Sequence, residues 1–154
     1  MGDGLLYFAY TARMAPARMA DAAPGAEFQF IAHLPQHGLE WSIADGAWGG
    51  RLPSVVPDPG GTVWGAVFTV PDREFPSLDA VECAEGRAVA SAEAMDRNGK
   101  RHNVTMHVGS IADNGNGRHQ PSAEYVALMV DGSRHWSLPF GWIAGLEEHL
   151  APRP

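Results

Sequence analysis

At 154 residues the chain has the length of one domain, and its 45% of apolar residues suffice to bury a core without a metal or disulfide staple. Lys and Arg number 11 against 18 Asp and Glu, a formal net charge of −7 with no basic run, which disfavours a nucleic-acid partner. No apolar run reaches membrane-spanning length, the N-terminus lacks a signal-type pattern, and a single Cys83 excludes an intrachain disulfide framework. The expectation is a single cytoplasmic domain, residues 1–154, with no membrane partner.

In chain order, residues 5–10 (Leu-Leu-Tyr-Phe-Ala-Tyr) are apolar on both faces and predict a strand covered on two sides. Thr11, Ala12 and Arg13 follow as a turn pointing into a cavity, and Pro16 opens about two helical turns within residues 14–21. Residues 27–34 place Phe28, Phe30, Ala32 and Leu34 on one face, with Pro35 expected as the strand's end, and residues 39–43 alternate in the same way. Gly46 to Gly50 reads as an open loop. A short strand over residues 52–56, a tight reversal at Pro57-Asp-Pro-Gly-Gly61 and a strand over residues 62–70 come next.

Residues 72–81 predict a short helix leading into Glu82-Cys-Ala-Glu-Gly86. Asn98-Gly99 is a two-residue hairpin signal between strands at 87–96 and 100–109. A polar loop is expected from Ser110 to Pro121. Ser122 is suited to cap a helix over residues 123–130, with Gly132 as its stop, and Pro139-Phe140 to open a last helix reaching about residue 150. Strands thus dominate the first two thirds and helices the last, an α+β domain.

These pieces together resemble the gamma-glutamylcyclotransferase-like family, which includes the plant avirulence-induced gene 2 type. Tyr7-Phe-Ala-Tyr10 stands where that family has its strand entering a Tyr-Gly-Ser-Asn turn. Gly49-Gly50 with Val63-Trp-Gly-Ala-Val67, then Leu78-Asp-Ala-Val-Glu82, then Pro121-Ser-Ala-Glu-Tyr125 with Leu138-Pro139, follow in the family's order. The resemblance implies a strongly bent mixed sheet closing towards a small barrel, flanked by helices, with a site at one mouth. It also implies an enzyme, of transferase or lyase type, that lets a substrate's α-amine attack its own γ-carbonyl, releasing an amine and 5-oxoproline. By the same resemblance Glu82 is the proton carrier, and Tyr10, Thr11, Ala12, Arg13, Gly49, Gly50 and Tyr125 are substrate-binding. No cofactor and no metal is implied.

The chemistry asks for little more than that. The nucleophile is tethered, so positioning alone contributes roughly 7–11 kcal/mol, and the protein must supply a proton carrier, oxyanion donors and a grip on the carboxylate. An apolar mouth lined by Phe8, Trp64 or Val81 is expected to raise the pKa of Glu82, and free N–H groups of the Thr11–Arg13 turn to serve as donors. The departures from the family are local. Thr11-Ala12-Arg13 replaces Gly-Ser-Asn, and Arg87-Ala-Val89 stands where the family carries a Tyr beyond its Glu. A positive φ at Thr11 would be strained, so a turn of another shape is expected. A guanidinium at Arg13 suits an acidic substrate of another shape. The expected activity is therefore cleavage of an amide-like bond in a carboxylate-bearing small molecule, gamma-glutamyl compounds included but glutathione types not favoured, by cyclotransfer or elimination with Glu82 as general acid/base.

Two alternatives share this reading: a non-catalytic module holding a small carboxylate, and a hydrolase whose Glu82 activates water. Glu85 reads by default as a surface acid, and Cys83 as a buried small residue. The seven His form no metal pattern: His102 and His107 fall on opposite faces of one strand, and His33 and His37 straddle Pro35. Tyr7, Trp41, Trp48 and Trp64 read as core or cavity wall. The sequence leaves monomer or homodimer open.

Overall fold

The computed structural model describes residues 4–44, 47–109 and 120–150. Five strands and four helices carry the fold in these segments. Strand β1 (Gly4–Ala9) pairs antiparallel with β3 (Leu52–Pro71), β3 with β2 (Glu27–Ile43), β2 with β4 (Arg87–Asp96), and β4 with β5 (Arg101–Gly109). A parallel bridge from Tyr7 to Thr105 returns β5 to β1 and closes the barrel, so the bent mixed sheet expected from the sequence is present.

Alternation along the strands divides the core in two. Phe8, Tyr10, Ala32, Leu34, Val55, Val63, Val67, Ala94, Val104 and Met106 come from all five strands and form one apolar set, the filling of the barrel. Their neighbours Tyr7, Ala9, Ile31, Ala66, Phe68 and Val70 face the other way and pack with the helices. No helix among the described residues is long and apolar enough to cross a membrane.

Proline misleads at two strand boundaries. β2 runs on through Pro35, and β3 runs through Pro57-Asp-Pro-Gly-Gly61, where an end and a reversal were expected. Pro35 lies opposite Thr62 and His37 opposite Pro57, so residues 58–61 bulge opposite Gln36 alone, which takes a positive φ of 60°. A bulge absorbs residues that cannot join a ladder while the strands keep their direction. The Asn98-Gly99 hairpin joins β4 and β5 as expected. Most of the expected polar loop at residues 110–121, and Gly46 of the open loop, lie outside the described residues.

Helix α1 (Pro16–Ala22) opens on Pro16. Helix α2 (Phe75–Ala84) follows a 3₁₀ turn at Asp72–Glu74 and extends further than expected, so Glu82 and Cys83 belong to its last turn instead of following it. Helix α3 (Ala123–His135) is capped by Ser122, whose Oγ accepts from Tyr125 N at 3.3 Å. Gly132 does not stop this helix; it lies inside it. A Cβ there would come within 2.5 Å of the Met14 carbonyl carbon, so the glycine lets α3 lie on the 3₁₀ turn Ala12–Met14. Helix α4 (Phe140–Glu147) closes the described chain.

Candidate active site

β1 delivers the chain into the Ala12–Met14 turn through Tyr10 and Thr11. Thr11 has φ −95° and ψ −162°, ordinary extended backbone, so the turn avoids the left-handed geometry that a β-branched residue resists. Its hydroxyl accepts from Arg13 N at 3.2 Å and donates to Glu82 Oε2 at 3.1 Å. One bond shapes the turn and the other ties it to α2. Met14 N donates to the Thr11 carbonyl at 3.0 Å. Of the N–H donors expected at the Thr11–Arg13 turn, that of Arg13 is therefore occupied, as is that of Met14.

Around Glu82 the surroundings are charged, not the apolar wall expected. Phe8 belongs to the barrel filling, and Trp64 packs on His33 with ring centroids 4.8 Å apart. Glu82 itself is fully buried. Its Oε1 accepts from Arg87 Nη1 at 2.9 Å, and Arg13 Nε stands 3.7 Å from its Oε2. Glu85, expected on the surface, is drawn into the same cluster with its side chain only 9% exposed. Its Oε1 accepts from Arg87 Nη1 at 2.6 Å and from the Tyr125 hydroxyl at 2.7 Å, while Oε2 lies 3.9 Å from Arg13 Nη2.

Arg87 and Glu85 are the residues that sequence reasoning missed. Arg87 opens β4, with Nε donating to the Pro53 carbonyl at 2.9 Å and its guanidinium 5.8 Å from the Tyr125 ring centroid. The signal for it was slight: an arginine two residues after Glu85, across the turning glycine Gly86. Arg13 Nη1 donates to the Arg18 carbonyl at 3.2 Å. Among the described residues, Arg13 Nε and Arg87 Nη2 are buried without a hydrogen-bond partner. Two guanidiniums and two carboxylates thus balance in charge but leave donors unused.

The other expected substrate residues are distributed around this cluster. Ala12 is buried in the turn. The Tyr10 hydroxyl donates to the His107 carbonyl at 2.6 Å and accepts from Val55 N at 3.3 Å, and burial pushes its pKa up to about 12. Tyr125 is fully buried, and burial above all, with the nearby carboxylates, holds its phenol well above the ordinary range. Gly50 packs against the Ser122 backbone, where a Cβ would come within 2.6 Å of Ser122 N. Gly49 is exposed. Ser122 Oγ donates to the Trp48 carbonyl at 2.9 Å, and the Trp48 ring meets Tyr125 edge-on at 5.0 Å. The glycine loop is thereby docked beside the phenol that holds Glu85.

A second buried polar cluster lies on α2. Tyr7 OH and His107 Nδ1 share a hydrogen bond of 2.6 Å, and His107 Nε2 meets Asp79 Oδ1 at 2.7 Å. A carboxylate only accepts, so Nε2 carries the proton, and a neutral imidazole then accepts from Tyr7 at Nδ1. Cys83 is exposed, not buried as expected, because the longer helix turns it outward beside Asp79. Partial desolvation and the Asp79 carboxylate push its thiol up, which disfavours the thiolate a nucleophile needs. Among the described residues no group of three His, Cys, Asp or Glu side chains is arranged to hold a metal.

A small closed barrel with a helix-borne acid buried against the turn after its first strand defines the class of protein. No protein-family model matches the chain. It is 25% identical to mouse gamma-glutamylcyclotransferase over 144 residues, covering 90% of this chain and 74% of the mouse protein. Against bovine gamma-glutamylcyclotransferase it is 31% identical over 85 residues, 53% of this chain, and that match spans only 45% of the bovine protein's length. The crystal structure of a human protein shares the fold with a TM-score of 0.86 at 23% identity, covering 99% of this chain and 89% of that one. The structure of a gamma-glutamyl cyclotransferase gives a TM-score of 0.86 at 22% identity, covering 98% and 89%. In sequence and in fold, then, the chain resembles the gamma-glutamylcyclotransferases, with Thr11-Ala12-Arg13 standing in the turn after the first strand.

Proposed function

We propose that this protein is an enzyme of the gamma-glutamylcyclotransferase type, acting on a small gamma-glutamyl compound, with Glu82 as proton carrier and Arg13 as the grip on the substrate's carboxylate. The observation that carries the reading is the Glu82 carboxylate, fully buried and 3.1 Å from the hydroxyl of Thr11 in the turn that ends β1. A buried acid on a rigid helix, facing a turn, is where proton transfer to a bound substrate is well served.

In the proposed step the substrate's α-amine nitrogen bonds to its γ-carbonyl carbon and gives one proton to Glu82. The γ-carbon–nitrogen bond then breaks as Glu82 returns that proton to the leaving amine, so 5-oxoproline and a free amine are the products. Arg87 Nη2, a buried donor without a hydrogen-bond partner among the described residues, supports stabilisation of the developing oxyanion. Arg13 is the arm that must shift on substrate entry. Its ion pairs at 3.7 and 3.9 Å are longer than hydrogen bonds and hold it least firmly. Arg13 in this turn, where the family has a neutral amide, also favours a carboxylate-bearing substrate other than glutathione.

One observation favours the binding-module reading instead: both Glu82 oxygens already accept hydrogen bonds, from Arg87 and Thr11. The test is a panel of gamma-glutamyl amides and other carboxylate-bearing amides, with amine and 5-oxoproline followed separately. Both products are expected from the parent, and Glu82→Gln should lower kcat roughly 10²–10⁴-fold. Amine with free acid would establish a hydrolase, and binding without any product a binding module. Rates are normalised to the folded fraction, because Gln loses the ion pairs of a buried carboxylate.

A further inference from the structure

We infer that Glu85 is a second substrate-reading carboxylate, which holds a free α-ammonium group while Arg13 holds the α-carboxylate beside it, so that the site selects an unblocked α-amino-acid head. The inference rests on the cyclotransfer reading for the kind of molecule that carries that head, and on the geometry of Glu85 for the rest.

The two Glu85 oxygens are used very differently. Oε1 accepts two short hydrogen bonds, from Arg87 Nη1 at 2.6 Å and from Tyr125 OH at 2.7 Å. These fix the plane of the carboxylate. Oε2 has Arg13 Nη2 at 3.9 Å, an ion pair longer than a hydrogen bond. Arg13, its side chain only 4% exposed, has an Nε with no hydrogen-bond partner among the described residues. An acceptor and a donor of opposite charge therefore stand side by side, each with an unused direction. Buried polar groups ordinarily satisfy those directions, so the pair is shaped for a ligand that brings both a cation and an anion.

The charges decide which ligand that is. A plain carboxylate drawn to Arg13 would stand next to Glu85 and Glu82 and be repelled by both. A zwitterionic head replaces one long ion pair by two charge-assisted hydrogen bonds, ammonium to Glu85 Oε2 and carboxylate to Arg13, and leaves the cluster neutral. Tyr125 acts as a positioning residue: its buried phenol stays protonated and donates to Oε1, which turns Oε2 towards Arg13. The nitrogen held there is the one that attacks in the proposed reaction, once the ammonium has given one proton to solvent water and become the neutral amine with which that step begins.

The experiment measures binding, not turnover, by calorimetry on the full chain with L-glutamate and with glutarate, which lacks only the α-ammonium. The parent should bind L-glutamate about tenfold or more tightly than glutarate. Glu85→Gln should abolish that preference, and Arg13→Gln should weaken both ligands. Because Glu85→Gln also disturbs ion pairs, Tyr125→Phe serves as the second variant. It keeps the charge, and should reduce the preference by weakening L-glutamate more than glutarate. Equal affinity for the two ligands in the parent, a preference that survives both variants, or binding of neither below ~10 mM overturns the inference. The outcome is separable from the proposed reaction: a Glu85-dependent preference in a protein without turnover upholds the head-group reading and sinks cyclotransfer. Turnover with no such preference does the reverse.

Discussion

Two buried polar clusters share helix α2, and they differ in how completely their hydrogen-bonding capacity is used. In the Tyr7–His107–Asp79 chain the hydroxyl and both ring nitrogens are engaged at 2.6 and 2.7 Å, and Asp79 reaches solvent with its side chain 36% exposed. In the Arg13–Glu82–Glu85–Arg87 cluster, Arg13 Nε and Arg87 Nη2 have no hydrogen-bond partner among the described residues, and two of the ion pairs are stretched to 3.7 and 3.9 Å. A saturated network fixes one structure, whereas an unsaturated one carries the cost of open donors and is where a ligand gains most. The difference fits a stabilising part for the first cluster and the proposed chemistry for the second.

The largest test of that division is Arg87→Ala. Among the described residues it removes the one hydrogen bond to Glu82 Oε1 and one of the two to Glu85 Oε1, leaving buried carboxylates undercompensated. A loss of about 3–5 kcal/mol is expected in urea unfolding. A loss near zero would show that the cluster already tolerates open charge.

Alkaline titration tests the neutrality of the phenols in both clusters at once. Tyr10 is raised from 10.0 to about 12 by burial, and Tyr7 and Tyr125 are raised in the same direction. A raised folded value means stability that is complete below pH 10 and is lost as pH climbs through about 12. Each such tyrosine should contribute a slope of roughly 1.4 kcal/mol per pH unit in that window. Flat stability between those limits would show that the phenols are not held by the fold.

His107→Phe addresses the saturated chain alone. It keeps the ring and its packing on Phe75, whose plane lies within 16° of the imidazole, but leaves Tyr7 without an acceptor. A loss of about 1–3 kcal/mol is expected, with kcat unchanged once a substrate is known. A fall in kcat with unaltered stability would move His107 into the chemistry and erase the contrast between the clusters. The smallest effect belongs to Ser122→Ala, which removes the α3 cap and the tie to Trp48. About 1 kcal/mol should be lost in thermal unfolding.

Much of the fold was legible because its signals are local. The apolar run of residues 5–10, the Asn98-Gly99 hairpin, Pro16 at the start of α1 and Ser122 as a cap each act within a few residues of themselves. Prolines misled for the same reason. Pro35 and Pro57 read locally as strand ends, but the long pairing of β2 with β3 carries both strands past them through a bulge. Gly132 read as a helix stop because composition cannot tell a glycine that ends a helix from one that makes room for Met14.

By itself the sequence determined an α+β chain whose ordered motifs resemble one family, and it marked Glu82 by its place in Leu78-Asp-Ala-Val-Glu82. Tertiary structure alone decided what surrounds that acid. Arg13 and Glu82 are far apart along the chain, as are Tyr125 and Glu85, and each pair meets only once β1, α2 and α3 are packed on the barrel. Glu85 and Cys83 exchanged their expected environments because α2 continues through Ala84, turning Cys83 outward as the chain carries Glu85 inward. Burial and charge pairing arise from contacts between distant segments, and no local pattern of residue types encodes them.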